Sequence, residues 1–359
     1  MKRLNLASID WWLMIPVFIL IIFSLATLFT IDQAIFRSQL IFTIFSFIVF
    51  FTLTQLNSSV LRFYSIPIYI FSIIALGIVL LVGAETRGSV RWIDFFGIRI
   101  QFSEILKPFL ALALAGFLAN LRSYSLKSFL MIFALISPIV LLIFFQPDLG
   151  NALIYVLVVV LALFIYGFSF RYFLLGFVVW LLSLPLFWLT LHDYQKQRVL
   201  TFIDPNRDPL GTSYNAIQAV IAVGSGMFLG KGLGQGTQST LSFLPEQHTD
   251  FIFATISEEL GFIGSSVIII CFAFIFFRLY QIIKNSEDNF SKIFSLLVFL
   301  IIFVHFTFNI GMNLAILPIV GITLPFVSYG GSSLLSNFIL LGLLFAVNKK
   351  SRSKVLEIS

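Results

Sequence analysis

The feature that most limits how this chain can fold is the length of its apolar runs. The stretch WWLMIPVFILIIFSLATLFTI, from Trp11 to Ile31, carries no charge. A helix needs about 20 such residues to cross roughly 30 Å of hydrocarbon, and buried helices of soluble proteins are usually shorter. The pattern recurs, and spans are expected near 11–31, 35–56, 64–83, 103–120, 128–145, 149–167, 171–191, 251–279, 293–317 and 324–347. Hydrophobic residues make up 59% of the chain and charged ones 11%, far from a soluble domain. The expected fold is all-α: one polytopic integral-membrane domain over 1–359, with about ten transmembrane helices. The first run leads through Asp32 and Gln33 into another span with no small-residue processing site, so it reads as a retained helix.

Charge sets the expected orientation. Lys2, Arg3, Arg62, Arg122, Lys127, Arg171, Arg278, Lys284, Lys292 and Lys349 fall on one side, and Asp32, Asp94, Asp148, Asp204, Asp208, Glu246 and Asp250 on the other. An excess of Lys and Arg in the inside loops puts both termini in the cytoplasm and the long 192–250 insert, between the seventh and eighth spans, outside. The net charge of +6 belongs to those inside loops and needs no nucleic-acid partner. The single cysteine, Cys271, reads as a buried hydrophobe, and His192, His248 and His305 show no metal-ligand spacing.

Polar residues within or between the spans are the candidate functional groups. Glu104 and Lys107 share a helix face at i,i+3, which suits either a structural ion pair or the support of a cavity. Gln146-Pro147-Asp148-Leu149-Gly150 suits a tight turn, a re-entrant feature or a cavity wall carrying Asp148. Between Gly83 and Glu104 an outer loop is expected, with Trp92 at the headgroup level and arginines that meet lipid phosphate or water. In the insert, turn formers from Asp204 to Gly211 precede Tyr214, Ile217, Val220 and Ile221, spaced for an amphipathic helix near the interface. Glycines 224, 226, 230, 232, 234 and 236 follow with Lys231; alternate glycines let backbone approach an anion, though no nucleotide-binding signature accompanies them. Thr249 or Asp250 suits an N-cap. Asp250 and Glu258 lie on neighbouring helix faces, with Glu259 pointing away, so Glu258 is expected to share a cavity with Asp250. Asn309, Asn313 and the small residues Ser328 to Ser333 suit a polar wall or close helix approach.

Five of these stretches together resemble the shape, elongation, division and sporulation family of bacterial membrane proteins: IQFSEILK, FQPDLG, FIDPNRDPLGTSYNAIQAVIAVGSG, GTQSTLSFLPEQHTDFIFATISEELGFIG and NIGMNLAILPIVGITLPFVSYGGSS. The resemblance covers essentially the whole chain. It implies a peptidoglycan glycosyltransferase of the bacterial cytoplasmic (inner) membrane that polymerises lipid II into β-1,4-linked glycan and releases undecaprenyl pyrophosphate. It also implies an extracytoplasmic active groove, a growing lipid-linked glycan strand as co-substrate, and as partners a class B penicillin-binding transpeptidase and the elongation machinery. By motif, the family's essential aspartate falls on Asp250, its intramembrane acid and base on Glu104 and Lys107, and its QPDLG aspartate on Asp148. Phe102 departs from the proline and Gln247 from the arginine common at those places in relatives.

A carboxylate can take the proton of an attacking sugar hydroxyl, so Asp250 is the expected general base. The departing pyrophosphate needs cations more than an acid, which singles out Arg198, Arg207 and Lys231. No motif identifies a cofactor, although a divalent cation could bridge pyrophosphate and carboxylates. A lipid-linked precursor flippase would use the same cavity without a base, and a non-catalytic scaffold for the transpeptidase would need neither.

Overall fold

A computed structural model describes residues 9–86, 89–95, 98–191, 196–197, 200, 202, 204, 213–240 and 243–349. Fourteen helices and three strands occur among them. In chain order they are α1 Trp11–Ile31, α2 Gln33–Leu53, α3 Ser58–Phe63, α4 Ser65–Val82, β1 Ala84–Thr86, β2 Ser89–Phe95, β3 Ile98–Gln101, α5 Phe102–Ile105, α6 Lys107–Ala119, α7 Leu126–Phe145, α8 Leu149–Ile165, α9 Phe170–Thr190, α10 Tyr214–Ser225, α11 Thr237–Thr240, α12 Ile252–Asn285, α13 Asn289–Asn313 and α14 Gly331–Val347. Among the described residues, eight helical segments are long and apolar enough to cross a membrane, with α5 and α6 counted as one; α8 and α14 are shorter apolar helices.

Local chemistry places the helix ends. Asp32 closes α1 and opens α2, its Oδ1 accepting from Ala34 N at 2.6 Å and Ile35 N at 3.3 Å, so one residue turns the chain between two antiparallel helices. Asp10, Ser125, Asp148 and Asp288 cap α1, α7, α8 and α13 through their side chains. Pro16, Pro138 and Pro185 sit inside α1, α7 and α9, tolerated because neighbouring groups satisfy freed carbonyls in membrane helices. The core is built on α6, α13 and α14, which bury most of their residues, while α9 buries none.

Several elements differ from the sequence expectation. Where an outer loop was expected, β1, β2 and β3 form a three-stranded antiparallel meander, with Trp92 opposite Gln101 and Ile93 opposite Ile100. The meander delivers Gln101 directly to α5, aiming its side chain into the bundle. The fourth span is two helices, since Leu106 ends α5 and Pro108 sits in the first turn of α6. The tenth begins at Gly331 instead of 324: Pro325 and Phe326, the latter at φ +64°, keep the preceding residues out of a helix.

The eighth span runs to Asn285 and is broken at Gly261 (φ +64°, ψ −158°). The carbonyls of Glu258 and Glu259 accept instead from Lys231 N (3.0 Å) and Gly232 N (2.9 Å), while Phe262 N and Ile263 N donate to Met227 O (2.8 Å) and Phe228 O (3.3 Å). The glycine run is therefore a backbone strap laid into a helix break. A Cβ at Gly226 would stand 1.8 Å from Ser257 O, and one at Gly230 2.2 Å from Glu259 O. The amphipathic α10 is equally involved: it buries Ala219 and Ala222 in a small cluster with Phe251 and Ala254, so it packs on protein as well as facing outward.

Candidate functional site

The irregular connector between α13 and α14, residues 314–330, organises the polar centre. Asn309 Nδ2 donates to Ile322 O at 2.7 Å, and Gln39 of α2 holds the connector's far end through Ser328 O and Gly330 N, both at 3.3 Å. A Cβ on Gly150 would lie 2.5 Å from Val320 O, so the start of α8 abuts the connector too.

On one side of the connector lies Asp250. The helix N-cap is Phe251, one position later than the Thr249 or Asp250 cap expected from sequence. The main chain leading to it is held at four successive carbonyls. Thr255 Oγ1 donates to Gln247 O (3.1 Å), Tyr329 N to His248 O (2.8 Å), Ser328 Oγ to Thr249 O (2.6 Å), and both Asn309 and Asn313 Nδ2 to Asp250 O (3.0 Å each). Asn313 Oδ1 also accepts from Ala254 N at 3.0 Å. The asparagines stand one turn apart on α13, which is why both reach one carbonyl. The Asp250 side chain is half-buried beside Gly321, where an added Cβ would sit 3.4 Å from Oδ2. Its backbone is clamped, and the residue as a whole is half-buried.

The connector also meets the Glu104–Lys107 pair, through His305. Lys107 Nζ donates to Glu104 Oε1 and to His305 Nε2, each at 2.8 Å, and all three side chains are buried. His305 Nδ1 lies 3.2 Å from Thr323 O. A carbonyl only accepts, so Nδ1 carries the hydrogen and Nε2 is left to accept from lysine. Asp148, also buried, gathers Gln101 Nε2 (2.7 Å), Asn151 Nδ2 (2.9 Å) and Ser103 Oγ (3.1 Å) on Oδ2, with Arg91 Nη1 at 3.6 Å from Oδ1. Its side chain also caps α8 through Asn151 N. Burial of so many charges is tolerable only with this degree of mutual hydrogen bonding.

The strap carries a third group. Glu258 Oε1, fully buried, accepts from Lys231 Nζ (2.7 Å), Gln238 N (3.0 Å), Thr237 Oγ1 (3.2 Å) and Ser225 Oγ (3.4 Å). Lys231, expected to face pyrophosphate, thus clasps Glu258. Glu259 points elsewhere, accepting from Gly234 N at 3.1 Å. Arg198 and Arg207 lie outside the described residues.

Sequence reasoning missed His305, Arg91, Gln101 and Asn151. An intramembrane histidine was the signal for the first, but only the fold shows that it faces Lys107. Arg91 and Gln101 needed the meander. Among the described residues, no three His, Cys, Asp or Glu side chains assemble as metal ligands.

Comparison with known proteins adds to this geometry. The family described as cell cycle protein, FTSW_RODA_SPOVE, matches residues 3–353. The peptidoglycan glycosyltransferase MrdB of Escherichia coli strain K12 is 40% identical over 292 residues, 80% of this chain and 78% of that one. Among solved structures, a chain of a peptidoglycan synthase complex that coordinates polymerization and crosslinking superposes with a TM-score of 0.82 at 28% identity, over 95% of this chain and 97% of that one. The rod shape determining protein RodA of Thermus thermophilus superposes with a TM-score of 0.73 at 25% identity, over 96% and 98% of the two chains.

Proposed function

From the premise that this chain belongs to the shape, elongation, division and sporulation family, the cell cycle proteins grouped with FtsW, RodA and SpoVE, we propose that it is a peptidoglycan glycosyltransferase polymerising lipid II during cell elongation. In this reading ten helices cross the bacterial cytoplasmic membrane, α8 and α14 joining the eight long ones; their 17 residues each rise about 26 Å. Both termini face the cytoplasm, and the 192–250 insert and the active groove face outward.

The observation that carries the reading is the half-buried Asp250 on a clamped main chain, beside a connector that also meets His305, the partner of the buried Lys107. An immobile base at an accessible edge suits a substrate with its sugars in water and its tail in lipid. The acceptor sugar hydroxyl attacks the anomeric carbon of the lipid-linked donor, and Asp250 takes the hydroxyl proton. A new C–O bond forms with inversion, the bond to pyrophosphate breaks, and undecaprenyl pyrophosphate leaves with the electron pair. Lys107, oriented by Glu104 and His305, supplies positive charge, and Asp148 with Arg91 and Gln101 walls the groove. Arg198 and Arg207 are proposed pyrophosphate contacts. Lys231 and Glu258 hold the strap against α12. The similarity to a chain of a synthase complex supports a crosslinking partner, a class B penicillin-binding transpeptidase.

The test supplies lipid II to the purified chain in liposomes, with and without that transpeptidase. Glycan strands are the expected product, and Asp250→Asn lowers their rate by about 10²–10⁴-fold without loss of membrane insertion. Substantial polymer from Asp250→Asn removes it from the base role. Leaflet exchange of lipid II without strands makes the protein a flippase instead, and neither activity in the presence of the partner leaves a scaffold.

A further inference from the structure

The strap from Gly226 to Gly234 belongs to no spanning helix, yet its tip is apolar and bare. Met227, Phe228 and Leu229 are 81%, 63% and 75% exposed, next to Phe262 at 62% on α12, with the Phe228 and Phe262 rings stacked 5.9 Å apart. Side chains this exposed and contiguous belong against an apolar phase rather than water.

The position of the tip along α12 supplies that phase. Arg278 Nη2 pairs with Asp10 Oδ2 at 2.6 Å, and Trp11, Trp12 and Tyr280 are exposed at the same level, the aromatic belt of a membrane boundary. Phe262 lies 16 positions further along the helix, about 24 Å of rise against roughly 30 Å of hydrocarbon. The tip therefore sits inside the opposite boundary. Leu233 places the strap's other end similarly, lining a groove with Ile22, Leu25 and Phe29 of α1.

Irregular backbone survives in hydrocarbon only when its polar groups are satisfied within the protein. Five backbone groups of the strap are matched in this way: Met227 O, Phe228 O, Gly230 N, Lys231 N and Gly232 N all bond to backbone, four of them across the α12 break.

We propose that the Met227–Leu229 tip is a membrane-immersed anchor that seats the insert in phospholipid acyl chains, its inner end fixed by the Lys231–Glu258 clasp. The proposal rests on the chain spanning a bilayer and not on the role of Asp250, so an active Asp250→Asn protein leaves it standing. The test labels a Met227→Cys variant, made on a Cys271→Ala background of the full chain in liposomes, with an environment-sensitive fluorophore. Ile270→Cys on the outward face of α12 and Glu287→Cys between α12 and α13 are the lipid and water controls. The expected result matches Ile270→Cys: most emission lost in bilayers of acyl-brominated phospholipid and little lost to aqueous iodide. Phe228→Cys gives the same pattern and guards against a local effect of one label. Iodide quenching like that of Glu287→Cys, comparable access to both quenchers, or access to neither because another protein segment covers the tip would each overturn the proposal.

Discussion

The Glu104–Lys107 pair closes within one helical turn at the entry to α6, whereas Lys231 and Glu258 meet across 27 residues, joining the strap to α12. Each carboxylate accepts a 2.7–2.8 Å bond from lysine, yet the lysines differ. Lys107 is sealed and bonds a second buried group, His305. Lys231 is 29% exposed and bonds the Thr237 hydroxyl. The first pair is an interior element of the bundle that orients a cation, and the second is a clasp that fastens an irregular segment over a broken helix. The same two residue types do different work because their surroundings differ in access to water.

The sharpest way to break this comparison is Lys107→Met. It strands the Glu104 carboxylate and His305 Nε2 in a dry interior, and about 3–5 kcal/mol of stability is expected to go. Thermal unfolding in detergent reads the loss, and Glu104→Gln/Lys107→Met together should recover part of it, the mark of an uncompensated charge. Lys231→Met should cost less, about 1.5–3 kcal/mol, because the Gln238 N–H and the Thr237 and Ser225 hydroxyls still serve Glu258. Equal losses from the two lysine variants would erase the distinction between interior pair and clasp.

Gly230→Ala probes the strap without touching a charge. At φ +80° and with its Cβ 2.2 Å from Glu259 O, the alanine should cost about 1–3 kcal/mol and speed amide exchange at Lys231 and Gly232. Unchanged exchange would mean that the strap tolerates the side chain and the helix break does not depend on it. Asp10→Asn is the smallest perturbation. It keeps the acceptor that caps α1 but weakens the pair with Arg278, a loss of about 0.2–1 kcal/mol that high salt should diminish.

Sequence legibility follows the same division. Glu104–Lys107 was visible because i,i+3 spacing is a property of any helix, and Asn309 and Asn313 share a face for the same reason. Asp148 could be placed at a turn because proline and glycine flank it. Lys231–Glu258 could not be read, because the angular position of Glu258 on a regular helix says nothing of a strap that enters from elsewhere. The alternating glycines suggested an anion nest; their use at Gly226 and Gly230 is to let two backbones touch. Residues 84–101 lacked a strand signal strong enough to outweigh their glycines and charges, and the register that sets Gln101 under Asp148 depends on pairing across the meander.

What the sequence by itself determined is the helical, membrane-spanning architecture and the polar residues that interrupt it, since apolar length and local spacing act through the bilayer and through single turns. Which of those residues meet was decided by tertiary structure. Lys107 finds His305, Lys231 finds Glu258, and Asp250 finds two asparagines of α13 because an irregular connector and a broken helix bring backbone groups into a medium without water, where each must be matched by whatever the fold sets beside it.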